Sequence, residues 1–143
     1  FFGSQKTLAP DFNFDRIISN ITDFLKQRPI ERLIIDPLSP IIFSMQAGHP
    51  NVARYIRQLV FALEETGTYT TLMTSPIPVG SNVLSKNAVE EFISSGVVHL
   101  KCVEKDGQYE RMITVKKMRG TDINLQDCAF KIRPKKGIVV SAT

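Results

Sequence analysis

The sequence predicts an α/β fold: a mostly parallel sheet flanked by helices, with antiparallel hairpin strands at the C-terminal side. Three observations carry that expectation. An apolar run, Leu33-Ile34-Ile35, stands between two segments whose apolar residues recur at helical spacing. A further strand follows the second of those segments, and helical crossovers of this kind join parallel strands. Beyond residue 96 the texture changes to long β-type runs broken by Asp106-Gly107 and Lys136-Gly137, which read as hairpin turns.

Taken in order, Asn13 or Asp11 can cap a helix from about Phe14 to Gln27, with Phe14, Ile17, Ile18, Ile21, Phe24 and Leu25 on one stripe. Pro29 stops it. The strand Arg32–Ile35 has no polar alternation, so it reads as covered on both faces. Pro37, Pro40 and Pro50 bracket a loop, and Pro50 opens a second helix, about Asn51 to Thr66. Val52, Tyr55, Ile56, Leu59, Val60 and Leu63 form its buried stripe, and Gly67 stands where a C-cap glycine belongs. The next strand, Tyr69 to Thr74, ends at Ser75-Pro76. A loop over residues 76–87 leads to a short helix, about Ala88 to Ser94. Two hairpins then pair Val97–Val103 with Tyr109–Lys116, and Phe130–Arg133 with Ile138–Val140.

At 143 residues the chain reads as one domain, 1–143, with 43% hydrophobic and 22% charged residues and a mean hydropathy of -0.04. Those are globular values, and they argue against disorder. No apolar run approaches the roughly 20 residues that cross a bilayer, and no signal peptide is expected. Cys102 and Cys128 lie far apart and read as free thiols of a reducing compartment, which points to the cytoplasm. The net charge of +4 is uneven: residues 1–100 carry 8 Lys and Arg against 9 Asp and Glu, residues 101–143 carry 10 against 5. A basic third can meet nucleic acid, nucleotide phosphates or an acidic neighbouring subunit, or can be a solvated strand surface. Only Tyr109 and Phe130 are aromatic there, a sparse stacking platform that weighs against nucleic acid.

Asp36 follows the first strand directly. In open α/β sheets ligands sit outside the carboxyl ends of the strands. A carboxylate there can hold Mg²⁺ through its water shell beside nucleotide phosphates, or can simply cap the turn before Pro37. His49 and His99 have no ligand cluster around them in sequence, so a metal site of their own is not expected.

Five segments in order resemble one family. They are Arg32–Ser39, Glu64-Glu65-Thr66-Gly67 before the strand ending Met73-Thr74-Ser75, and Val89-Glu90-Glu91-Phe92-Ile93 with Ser94 to Val98. Val115-Lys116-Lys117-Met118-Arg119-Gly120-Thr121 and Phe130-Lys131-Ile132 with Gly137-Ile138 complete the set. Together they resemble the KaiC-like branch of the RecA-type ATPase superfamily, over about residues 14–140. The resemblance implies a RecA-like sheet, ATP and Mg²⁺ as cofactors, and a homo-oligomeric ring, as a hexamer, acting in signalling or on a regulatory protein partner. It implies that Asp36 acts on the Mg²⁺ shell with Ser39 nearby, and that Thr74 and Ser75 sense the γ-phosphate. It implies too that Lys117 and Arg119 reach a neighbouring subunit's nucleotide as a trans-acting finger; two residues apart, they share a strand face. The bland alternatives are a strand-end turn at Thr74-Ser75 and a basic edge strand at Lys117 and Arg119.

The departures from the family pattern carry their own expectation. The sequence holds no Gly-x-x-x-x-Gly-Lys-Ser/Thr loop and no acidic pair after one, and these would cradle phosphates and orient the attacking water. Pro37, Ser75-Pro76 and Asp122-Ile123 stand where the family commonly has Ser, Thr-Glu and a His. The 143 residues therefore resemble the C-terminal portion of such a core, which by itself should not hydrolyse ATP. A non-catalytic assembly module and a nucleic-acid-binding recombinase relative are the alternatives.

Overall fold

In the computed structural model the described residues are 14–39, 41, 52–67, 69–78, 83–85 and 89–141. Helix α1 (Phe14–Lys26) and helix α2 (Val52–Thr66) form where the apolar stripes lie. Their stripes meet: Phe14, Leu25, Ile56, Leu59 and Leu63 are buried, and the Phe14 and Tyr55 rings pack edge-on at 4.8 Å. Phe24, placed on the same stripe, is instead 49% exposed and lies under the Arg28 guanidinium, 3.8 Å from the ring centroid. The 3.6-residue period has drifted it to the margin of the stripe. The expected caps Asn13 and Asp11, the loop over Pro40 and Pro50 with His49, Asn51 and Ala88 lie outside the described residues.

Strands β1 (Arg32–Ile35) and β2 (Thr70–Met73) pair in parallel, Ile34 beside Leu72. The apolar run does not have two covered faces here. Leu33 and Ile35 are half-buried, whereas Ile34 is 65% and Leu72 57% exposed. Gly67 ends α2 without the left-handed φ of a C-cap glycine. Its role is steric: a Cβ there would meet the Tyr69 ring at 3.4 Å, and the Tyr69 hydroxyl donates to the Leu63 carbonyl at 2.8 Å, capping an orphan carbonyl of the helix.

The remaining chain forms a separate compact unit, residues 90–143, after a first unit of residues 1–89. It opens with α3 (Glu90–Ile93), shorter than the sequence suggests, and continues as four antiparallel strands in sequential order. They are β3 (Gly96–Lys105), β4 (Gln108–Met118), β5 (Cys128–Arg133) and β6 (Gly137–Val140). Asp106 and Gly107 take φ 52° and 73°, the two positive values of a two-residue hairpin turn. The second connection is Pro134–Lys136, with Lys135 at φ 61° and Gly137 at 73° opening β6. The described strands are thus one parallel pair and a four-stranded antiparallel sheet, an α/β architecture with less parallel sheet than expected.

Candidate functional site

In the first unit the ladder carries past the strand ends. Thr74 N–H donates to the Ile35 carbonyl at 3.0 Å, and Leu38 N–H donates to the Thr74 carbonyl at 2.8 Å. These bonds bring the Asp36 and Thr74 side chains together at the carboxyl edge of the parallel pair. The Thr74 hydroxyl donates to Asp36 Oδ1 at 2.5 Å, and both residues are exposed. Leu38, two residues on, is 1% exposed and anchors the turn; the Asp36–Pro37 peptide is cis. Ser39 and Ser75 are half-buried. The sequence suggests separate tasks for Asp36 and Thr74; in the fold they form one polar pair. The signal lay in the parity of two parallel strands that each end in a polar residue.

One carboxylate and a hydroxyl form a donor set for a hydrated divalent cation held mainly by other groups, as Mg²⁺ beside phosphates is. Among the described residues no three His, Cys, Asp or Glu converge as a metal cage. The set fits a Mg²⁺ reached through water rather than one bound by the chain alone.

In the second unit Lys117 lies on β4, whereas Arg119 falls in the turn just past its end rather than on the expected strand face, and both side chains reach carbonyls of α3. Lys117 Nζ donates to the Glu91 carbonyl at 2.8 Å and to the Phe92 carbonyl at 3.3 Å; an Arg119 Nη donates to the Phe92 carbonyl at 3.2 Å. Arg119 N–H also donates to the Ser95 carbonyl at 2.8 Å. The two cations therefore sit on the exposed carbonyl end of α3, where positive charge is favoured. The acceptors of these three side-chain bonds are backbone carbonyls, which carry no net charge.

A polar cluster that the sequence did not announce lies on the same sheet. Lys101 Nζ meets Asp127 Oδ2 at 2.6 Å, and the buried Thr114 hydroxyl donates to Asp127 Oδ1. The Lys101 ammonium and the Thr114 hydroxyl hold the Asp127 carboxyl below its ordinary range. His99 pairs with Thr114 across the ladder; burial, then Lys101 and Lys116, push its imidazole below the usual value. Asp127 comes from an irregular segment, which no periodicity marks.

The Asp36–Thr74 pair lies at the carboxyl edge of the parallel strands, the edge outside which open α/β sheets place their ligands. The comparisons are narrower. Residues 3–143 match the family described as ATPase: KaiC, and the chain belongs to that family. It is 30% identical over 138 residues to the circadian clock protein KaiC3 of Synechocystis, covering 96% of this chain and 27% of that protein. Over 111 residues it is 32% identical to a UPF0273 protein of Pyrococcus furiosus, covering 77% and 42%. The crystal structure of a KaiC-like protein from Pyrococcus horikoshii superposes with a TM-score of 0.79 at 31% identity, covering 97% of this chain and 59% of that one. The chain thus spans about a quarter of the length of its KaiC3 relative.

Proposed function

We propose that these residues serve a KaiC-family ATPase module that takes Mg·ATP at the interfaces of a ring, probed first as a hexamer, and acts in signalling or regulation in the cytoplasm. The observation that carries this reading is the Asp36–Thr74 pair at the carboxyl edge of β1 and β2. Asp36 would hold the hydrated Mg²⁺, with Thr74 fixing the carboxylate by occupying one oxygen and Ser39 and Ser75 flanking it as polar neighbours. Bound Mg²⁺ would supply charge neutralisation at the phosphates. Lys117 and Arg119 act on a neighbouring subunit's nucleotide, where fixed cations offset the charge that develops on the transferred group. Because the sequence has no phosphate-cradling loop, the chain alone binds ATP weakly and does not turn it over.

A second reading, a regulatory assembly module that lends Lys117 and Arg119 to a partner's site, draws on the same absence of a phosphate loop. Binding of a fluorescent ATP analogue, with native mass spectrometry of the assembly, separates the two. The first reading predicts Mg²⁺-dependent binding that Asp36→Asn weakens at least tenfold, in complexes that nucleotide enlarges. Assembly without nucleotide uptake would leave the second, and neither would sink both.

A further inference from the structure

Among the described residues, the last hairpin, β5–β6, has an outer edge with no paired strand. The Ser141 N–H donates to the Ala129 carbonyl at 2.8 Å, so Phe130 and Val140 form a non-hydrogen-bonded pair. Alternation along the register then turns the backbone N–H and C=O groups of Ile138 and Val140 away from β5. The topology ends at β6, and among the described residues no strand pairs with that outer side. Natural edges are commonly blunted by a charge, a proline or a bulge. Gly137-Ile138-Val139-Val140 carries none of these, and its three aliphatic side chains are 49%, 40% and 48% exposed.

Charge says what fits there. Residues 128–143 contain Lys131, Arg133, Lys135 and Lys136 and no Asp or Glu. Lys131 pairs with Val139 and so shares a face with Arg133, while Ile138 and Val140 share the other face with the 60% exposed Ile132. The two faces of the edge therefore ask for different side chains. We propose that β6 is a docking edge for an extended acidic segment of a partner protein, one that alternates aliphatic residues with Asp or Glu. Its backbone would pair with Ile138 and Val140, its aliphatic side chains would cover Ile138 and Val140, and its carboxylates would lie within reach of Lys131 and Arg133 over Val139. A second copy pairing edge to edge would bring like charges together at the same positions, which disfavours self-association.

The test is fluorescence anisotropy of a labelled peptide alternating valine and glutamate, added to the full chain. The expected result is saturable binding that weakens with added salt and is lost when the same peptide is N-methylated on its pairing edge. Val140→Pro removes the outward N–H without touching the β5 ladder and should abolish binding. Lys131→Glu with Arg133→Glu should lower affinity at least tenfold and favour a valine–lysine peptide instead. Equal binding of the N-methylated peptide would overturn the proposal. So would competition by single-stranded oligonucleotide at the same strength, or concentration-dependent dimers that Val140→Pro dissolves.

Discussion

The two units of this chain are held by different forces. Six of the seven buried apolar residues of the described chain lie in the first, where α1 and α2 pack together and Leu38 is buried after β1. In the second only Phe130 is a buried apolar residue, and the sheet is held by its ladder and by Thr114, Asp127 and Lys101. Val98, Leu100, Ile132, Ile138 and Val140 project from one face of that sheet, each about half exposed or more. The lesson concerns how each unit carries its functional groups. The packed unit fixes Asp36 through a hydrogen bond from Thr74, whereas the open sheet leaves Lys117, Arg119 and the β6 edge at the surface, as the proposed trans contacts require.

The comparison can be broken by mutation. Leu59→Ala, at a site 1% exposed, should lower the stability of the first unit by about 2–5 kcal/mol, read by chemical denaturation. A loss below about 1 kcal/mol would show that α1 and α2 do not depend on interlocked packing. Thr114→Val keeps the shape and removes the donor to Asp127, so it should lower the denaturation midpoint, by less than Leu59→Ala does. No change would mean the ladder alone holds the second unit.

Two pH dependences sharpen the contrast, since both belong to the second unit. The folded pKa of Asp127 lies below its unfolded value, so its contribution is complete above the ordinary carboxylate range of about 4 and fades as pH falls through the lower folded value. Asp127→Asn should flatten that acid limb. His99 also has a folded pKa below its unfolded one, but a histidine is charged in its protonated form. The unfolded chain then binds the extra proton, so stability falls as pH drops below about 6.5 towards the folded value. His99→Gln should remove this slope, and a slope that persists would assign it elsewhere.

Helix and strand positions were legible because periodicity and turn chemistry agree with the fold at α1, α2, β1 and both hairpins. Asp106-Gly107 could be read as a turn from two residues alone, since few pairs accept two positive φ values. What stayed hidden depends on neighbours distant in sequence. Asp36 and Thr74 stand 38 positions apart, and only the parallel register joins them. The apolar run of β1 looks the same in sequence whether one face is covered or two, so the exposure of Ile34 was not legible. The spacing of Lys117 and Arg119 suggested a shared strand face, but β4 ends at Met118, and it is the α3 carbonyls that receive both side chains.

The central claim is that Asp36 of one subunit and Arg119 of its neighbour serve one nucleotide. Subunit mixing in the native assembly tests it most directly. Asp36→Asn and Arg119→Ala proteins are each prepared, each expected to weaken Mg²⁺-dependent binding of a fluorescent ATP analogue by about tenfold, and then combined. The account predicts that the mixture regains a measurable fraction of the tighter binding, because some interfaces hold an intact Asp36 facing an intact Arg119. Two variants that stay weak in verified mixed rings, or an Arg119→Ala protein with undiminished affinity, would contradict it.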